Sequence, residues 1–366
     1  MEAIKTLQAL GLKSTNSLEG VAVSLVETDG VDVYKLSACE VFPYEEALSG
    51  KLRKILGLKG QTEEEKAQIK EVELELTNFH IELVKEFQNY HKIDIDVIGF
   101  HGHTIYHNPA EKETIQVGDA RALAAETNTK VVSKFAKADV FAGGQGAPLY
   151  PVYHQALCAN MEKPLAIVNI GGNSSLTFLG SNGETMAFDT GPGNAIINDW
   201  TFKKAGQHMD YNGKYAITGK ADEKVVNSLM RHKYFAKYPP KAIDRNIFKD
   251  KMENLEGLSL EDGAATATAF VAESIAYSIS FYLPEQPREV ILCGGGANNP
   301  SLKRFIRQRL NEIEVISGKE YGWDVSTIEA QAAAYLAVRR LYNMPSTFPS
   351  TTGALQPIVC GNLYEP

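Results

Sequence analysis

The run Glu289-Val290-Ile291-Leu292-Cys293 ends at Gly294-Gly295-Gly296, and a helix pattern opens just beyond it at Leu302-Lys303-Arg304-Phe305-Ile306. A short β-rich run closed by glycine and answered by a helix constrains the fold strongly, because it is the repeating unit of α/β proteins. The unit recurs. Val97-Ile98-Gly99-Phe100 leads into His101-Gly102-His103-Thr104, Val131-Val132 reads as a further strand, and Leu165-Ala166-Ile167-Val168 runs into Asn169-Ile170-Gly171-Gly172. The first segment reads strand–turn–strand: apolar to Leu12, polar over Lys13–Ser17, then Val21–Val26, with Asp29-Gly30 turning into Val31–Tyr34.

Helices fill the intervals. Thr62 and Glu65 have capping-box spacing, and Ile69, Val72, Leu76, Phe79, Leu83 and Phe87 recur at steps of three and four. Further helices are expected over Ala264–Ile279 and from Thr327 to Leu341, the latter carrying Ile328, Ala332, Tyr335 and Leu336. No Pro- or Ser-rich linker marks a boundary and no internal repeat is legible. The expected division is a first α/β domain over 1–135 plus a tail of about 340–366, and a second over 136–340.

Bulk properties exclude several classes. A chain of 366 residues with 44% hydrophobic and 22% charged residues can fill two ordinary cores. Its net charge of −8 disfavours general binding to nucleic acid or anionic membranes. Neither the start, Met1-Glu2-Ala3-Ile4-Lys5, nor any later segment offers a signal-peptide core or the ~20 apolar residues of a membrane span. Cys39, Cys158, Cys293 and Cys360 are too scattered for a disulfide framework or zinc knuckle, so a reducing cytoplasm is expected.

Three glycine-bearing turns follow strands: Ser14–Gly20, Asn169–Ser175 and Gly294–Pro300. Glycine lets backbone N–H groups approach a phosphate, and a following helix adds its positive end. No Gly-x-Gly-x-x-Gly unit lies between strand and helix, and no Gly-x-x-x-x-Gly-Lys-Ser/Thr occurs, so Rossmann and P-loop readings fit poorly. Phosphate held by separated turns fits better. Asp189 stands after Met186-Ala187-Phe188 and before Thr190-Gly191-Pro192-Gly193-Asn194. A carboxylate there can take a proton from an attacking hydroxyl or water, or cap the helix expected over Ala195–Phe202; spacing leaves both open.

Taken together, these motifs resemble the anhydro-N-acetylmuramic acid kinase family over nearly the whole chain. The resemblance is carried by Phe100–Thr104, Gly143-Gly144-Gln145-Gly146-Ala147-Pro148-Leu149, Asn169–Gly172 and, most strongly, Phe188-Asp189-Thr190-Gly191-Pro192-Gly193-Asn194. Asp244-Arg245-Asn246, Gly294–Pro300, Glu329-Ala330 and Phe348-Pro349-Ser350-Thr351-Thr352-Gly353 follow in family order.

The resemblance implies a two-domain actin- and hexokinase-like (ribonuclease-H-like) α/β fold around a cleft, usually in a homodimer. It also implies an ATP- and Mg²⁺-dependent kinase that opens the 1,6-anhydro ring of anhydro-N-acetylmuramic acid and phosphorylates O6 in peptidoglycan recycling. Asp189 matches the family's catalytic base. The turns assign Ser14, Thr15, Asn16, Ser17, Glu19, Gly20, Gly171, Gly172, Gly294, Gly295, Gly296 and Asn299 to the nucleotide. His101, Thr104, Gln145, Gly191 and Asn194 are candidates for the sugar, and Glu19 and Glu329 for the metal. Gln145 equally suits a turn-stabilising amide, Glu329 an acid favoured at a helix start, and His101 a structural histidine.

This chain departs from the family pattern at particular turns. The family's Ser-Gly-Thr-Ser-x-Asp-Gly is here Ser14-Thr15-Asn16-Ser17-Leu18-Glu19-Gly20, Asp-Phe-Arg is Lys134-Phe135-Ala136, and His-Gly-Gln-Thr is His101-Gly102-His103-Thr104. An apolar-Ala-Asn turn becomes Asn173-Ser174-Ser175. A β-branched Thr15 is costly if that position needs a positive φ. These departures keep two alternatives in view: a catalytically impaired sugar- or nucleotide-binding homologue, and a kinase of another anhydro-sugar.

Overall fold

A computed structural model describes residues 5–15, 18 and 20–366, the side chains of 245, 246, 249 and 250 excepted. The candidates Asn16, Ser17 and Glu19 lie outside the described residues. In chain order the strands are β1 Leu7–Ser14, β2 Gly20–Thr28, β3 Val33–Pro43, β4 Val97–Phe100, β5 His103–Asn108, β6 Glu113–Val117 and β7 Lys130–Ser133. Then come β8 Leu165–Ile170, β9 Asn173–Leu179, β10 Thr185–Pro192, β11 Glu289–Cys293, β12 Glu314–Ser317 and β13 Asn362–Tyr364. The chain folds into two compact units, 1–159 with 327–366, and 160–326.

In the first unit the strand order is β13-β7-β4-β1-β2-β3. The members β1, β2 and β3 form an antiparallel meander, while β1, β4 and β7 run parallel. The second unit has the order β10-β9-β8-β11-β12. There β8, β9 and β10 are antiparallel, and β8, β11 and β12 parallel. Apart from β13, the two sheets have one topology: a three-strand meander whose first strand is extended by two parallel strands. This is the ribonuclease-H-like order, present twice, and the fold is α/β of the actin/hexokinase-like kind. Repetition invisible in the residues is therefore plain in the strand order.

Helix Ile328–Leu341 explains the grouping of the chain's end with its beginning, because it packs across β1, β2 and β4. It lies so close that a Cβ on Gly11 would stand 1.7 Å from the Ala330 carbonyl oxygen, and one on Gly99 2.0 Å from that of Ala333. Glycine on the strands and alanine on the helix let the two backbones touch. Against the expected 1–135 and 136–340, the observed units divide after Ala159 and after Ser326.

Helix Glu63–His91 starts as its caps dictate: the Thr62 hydroxyl accepts from the Glu65 N–H at 3.1 Å. Val72, Leu76, Leu83 and Phe87 are buried along one face. In the second unit, helix Leu260–Tyr282 is longer than expected at both ends, with Ser259 capping the Asp262 N–H. It is buried nearly all round, as an alanine-rich helix that carries no charge between Asp262 and Glu273 can be. The strand after Asp29-Gly30 begins at Val33 and runs to Pro43, farther than its sequence suggests, because it is the polar edge of its sheet. No helix among the described residues is long and apolar enough to cross a membrane.

Candidate active site

In the second unit, β10 continues through Asp189 to Pro192, with a register shift between Asp189 and Gly191. The bulge is held by the Thr190 hydroxyl donating to the Ser174 carbonyl at 3.2 Å and the Ser174 hydroxyl donating to that of Pro192 at 3.0 Å. Bulges re-aim side chains, and they recur beside active sites. Asp189 is buried, 6% exposed. Its Oδ2 accepts from the Ile243 N–H at 2.9 Å, and its own N–H donates to the Lys241 carbonyl at 2.9 Å. Asn173 Nδ2 donates to the Ile243 carbonyl at 3.0 Å, so residue 243 is gripped on both sides. The polar turn Asn173-Ser174-Ser175 thus braces the backbone around Asp189. The helix-cap alternative does not hold: the helix starts at Asn194, and Gly193 is its N-cap.

Sequence reasoning missed Lys241. Its side chain is buried, with Nζ 4.1 Å from the Tyr282 ring centroid, 4.7 Å from that of Tyr234, and 3.4 Å from the Tyr234 carbonyl oxygen. Burial pushes its ammonium down to about 8, against the opposing pull of the Asp189 charge. The Tyr234 hydroxyl donates to the Asp189 carbonyl through a short bond. Only the proximity of Lys241 to Asp244-Arg245-Asn246 could have flagged it.

The glycine turns of this unit come together. The N–H groups of Gly193, Asn194 and Ala195 donate to the Gly172, Gly171 and Gly172 carbonyls at 2.9, 2.8 and 3.1 Å. Those helix-start donors are thereby occupied by the turn. Asn194 Nδ2 reaches the Ile170 carbonyl at 3.4 Å, and the Gly294 Cα faces Asn169 and Ile170. Gly295 and Gly296 open a short 3-10 turn, while Asn299 caps helix Pro300–Arg309 with its side-chain oxygen on the Leu302 N–H at 3.1 Å. A Cβ on Gly191 would meet Ser274 at 2.9 Å, so helix packing also requires glycine there.

Ser14, Thr15, Gly20, His101, Thr104, Gln145 and Glu329 all belong to the first unit. Ser14, at the end of β1, is buried; its hydroxyl accepts from the Tyr44 hydroxyl at 2.6 Å and meets His103 Nδ1 at 2.8 Å. The Ser14 hydroxyl has a second lone pair and its own proton, so either it or His103 Nδ1 can be the donor of that second bond. The Thr15 N–H donates to the Gly20 carbonyl at 2.9 Å, and Thr15 Oγ1 accepts from the Gly20 N–H at 3.2 Å. Among the described residues of this turn, Leu18 has a left-handed φ of 64°, and Thr15 is not at positive φ. The strain expected at Thr15 is therefore absent. Lys13, 3% exposed, donates Nζ–H to the Ser14 carbonyl at 2.8 Å and stands 3.6 Å from Glu329 Oε2.

His101 is buried, and desolvation, followed by the Lys13 charge, holds it well below the ordinary histidine value. It is therefore neutral near pH 7. Gln116 Nε2 reaches His101 Nδ1 at 3.4 Å and Thr104 Oγ1 at 3.3 Å. Gln145 is fixed by its backbone: its N–H donates to the Thr352 carbonyl at 2.7 Å, and its carbonyl lies 2.9 Å from His107 Nε2. Behind it sits Asp139, fully buried and also missed by sequence reasoning. Its carboxylate accepts from the Thr347 hydroxyl at 2.5 Å, the Thr352 hydroxyl at 2.6 Å and the Gly146 N–H at 2.7 Å. One carboxylate thus joins the Gly143–Leu149 and Phe348–Gly353 motifs.

The comparisons agree with the motif order. The family described as anhydro-N-acetylmuramic acid kinase matches residues 7–366. An anhydro-N-acetylmuramic acid kinase of Paramagnetospirillum magneticum is 42% identical, covering 98% of this chain and 99% of its own. One from Rhodopseudomonas palustris is also 42% identical, over 98% and 100%. Among solved structures, the activator of the 2-hydroxyisocaproyl-CoA dehydratase from Clostridium difficile with bound ADPNP matches at 14% identity and TM-score 0.45, covering 92% of this chain and 96% of that one. A family match over nearly the whole length, with relatives at this identity, is decisive: the chain belongs to the anhydro-N-acetylmuramic acid kinase family.

Proposed function

We propose that the chain is an ATP-dependent kinase that opens the 1,6-anhydro ring of anhydro-N-acetylmuramic acid with water and phosphorylates O6. The observation that carries this reading is Asp189, a buried carboxylate on a bulged strand with Oδ2 anchored by the Ile243 N–H. Asp189 takes a proton from water as the water oxygen bonds to C1. The C1–O6 bond breaks, O6 takes the γ-phosphoryl group, and ADP leaves. The product is N-acetylmuramic acid 6-phosphate, and one proton is released for each turnover. Positioning and electrostatics carry most of the phosphoryl step.

Among the described residues no group of three His, Cys, Asp or Glu side chains could hold a metal. The magnesium ion would arrive on the nucleotide phosphates and take one or two protein carboxylates. Glu329, with Glu19, would be those neighbours. Magnesium supplies neutralisation of charge on the phosphate oxygens. The nucleotide candidates that the family resemblance and the glycine turns supply are Ser14, Thr15, Asn16, Ser17, Glu19, Gly20, Gly171, Gly172, Gly294, Gly295, Gly296 and Asn299. His101, Thr104, Gln145 and Asn194 would meet the sugar. We place the activity in the cytoplasm, in peptidoglycan recycling, in a homodimer.

The impaired-homologue alternative loses one of its supports, because Thr15 bears no positive φ. The test is direct: the purified chain with Mg-ATP and anhydro-N-acetylmuramic acid should release ADP and a 6-phosphosugar, identified by mass spectrometry. ADP release without that product, or release only with a different anhydro-sugar from a substrate panel, would overturn the assignment.

A further inference from the structure

The loop that starts at Gly143 is wound around one carboxylate. Asp139, on the short helix Phe135–Phe141, is fully buried; its Oδ2 accepts from the Gly146 N–H at 2.7 Å, and its carbonyl accepts from the Gly144 N–H at 2.9 Å. A Cβ on Gly144 would stand 2.2 Å from Asp139 Oδ2, so only glycine lets the loop pass this close. Between the two glycines, Gln145 is held by its backbone. Its N–H donates to the Thr352 carbonyl at 2.7 Å, and its carbonyl lies 2.9 Å from His107 Nε2. The Gln145 side chain is half-buried, and its amide makes no hydrogen bond among the described residues. The amide therefore does not stabilise the turn, which was one of the two roles its sequence allows. We infer that Asp139 is a positioning residue of the sugar half-site, fixing the Gly144–Gly146 backbone so that the Gln145 amide meets a sugar oxygen already oriented. The inference rests on the reading that Gln145 meets the sugar.

The physical argument is one of preorganisation. A side chain carried on a glycine loop would have to be ordered at each binding event, and that ordering subtracts from affinity. Here the ordering is done within the fold by a closed ring of bonds. Asp139 Oδ2 holds Gly146, the neighbouring Gln145 N–H holds the Thr352 carbonyl, and the Thr352 hydroxyl returns to Asp139 Oδ1 at 2.6 Å. The Thr347 hydroxyl braces the same oxygen at 2.5 Å. Every member of the ring belongs to the first unit. Removing the carboxylate opens the ring at two places and leaves the Gln145 amide chemically intact but unaimed.

The experiment is steady-state kinetics of the full chain with Mg-ATP and anhydro-N-acetylmuramic acid. Gln145→Ala should raise the KM for the sugar about tenfold while leaving amide exchange over 143–149 unchanged. Asp139→Ala should raise the same KM by a similar factor, with kcat and the KM for ATP within about twofold of the unmodified chain. Asp139→Asn, whose side-chain oxygen can still accept from the Gly146 N–H, should raise it about threefold. In a Gln145→Ala background, either Asp139 substitution should add less than about twofold, because the amide it aims is gone. A purely structural Asp139 would add its full loss in both backgrounds and disturb the KM for ATP equally. If Asp139→Ala does not fold, the cycle of Asp139→Asn with Gln145→Ala decides alone. Equal losses in both backgrounds, or a sugar KM unmoved by the Asp139 substitutions, overturn the inference. A sugar KM unmoved by Gln145→Ala overturns the sugar reading of Gln145, and the inference with it. Absence of turnover by the unmodified chain instead overturns the kinase reading on which both stand.

Discussion

Asp139 offers a prediction whose size follows from its surroundings. Asp139→Ala removes three bonds made to a fully buried carboxylate, from Thr347, Thr352 and the Gly146 N–H. The two hydroxyls have fallbacks, since Thr347 Oγ1 lies 3.5 Å from Cys360 Sγ and Thr352 Oγ1 3.5 Å from the Phe348 carbonyl. The Gly146 N–H loses its carboxylate acceptor at a buried turn. A stranded buried donor costs about 1–3 kcal/mol, and a lost bond to a charged group about 1.5–3 kcal/mol, so a net destabilisation of about 3–5 kcal/mol is expected. Asp139→Asn keeps the volume but offers one acceptor fewer, and should cost about half. Both tryptophans, Trp200 and Trp323, lie in the second unit, so fluorescence reports that unit during urea unfolding. Amide hydrogen exchange over 143–149 reports the first. The expected result is a large loss of exchange protection at 143–149 with a much smaller shift in the fluorescence midpoint. A loss under about 1 kcal/mol at 143–149 would refute the claim that Asp139 holds these motifs together.

Three further outcomes follow from the same geometry. Gly99→Ala should abolish or severely reduce soluble expression, at a cost above about 3 kcal/mol, because its Cβ would meet the Ala333 carbonyl at 2.0 Å; a midpoint within 2 °C of the parent would contradict that packing. Between about 8, the folded value of Lys241, and the ordinary 10.5, the unfolded chain holds a proton that the folded one lacks, so this residue's contribution to stability rises with pH through that window. Lys241→Met should therefore stabilise the second unit by about 2 kcal/mol at pH 7, with the gain fading towards pH 10.5 in urea titrations read by fluorescence. Thr15→Gly, which restores the family residue, should destabilise the first turn by about 1 kcal/mol in hydrogen exchange, because it deletes the acceptor for the Gly20 N–H; a stabilised turn would show that the positive-φ argument was right after all.

Much of the fold was legible because apolar periodicity and glycine punctuation are local. The Glu63–His91 helix announced itself through Thr62, Glu65 and its buried stripe, and each central strand through a short β-rich run. The duplicated topology was not legible, since two sheets can share a strand order without sharing residues. The length of β3 was hidden because an edge strand carries polar residues such as Lys35 and Glu40 on a surface it need not bury. At the site, Asp189 stood out through its glycine neighbours. Its partners did not, because Ile243 and Lys241 act through backbone atoms and burial, which no motif records. Lys13 and Asp139 escaped for a similar reason: a charge inside a strand or helix reads as surface until the fold buries it.

The central claim is that Asp189 takes the proton of the attacking water, and it is tested by comparing the unmodified chain with Asp189→Asn under saturating Mg-ATP and anhydro-N-acetylmuramic acid. The substitution keeps an oxygen available to accept from the Ile243 N–H but removes the base, so nucleotide binding should persist while formation of the 6-phosphosugar falls by about a thousandfold or more. Product formation by Asp189→Asn within about tenfold of the unmodified chain would contradict the account.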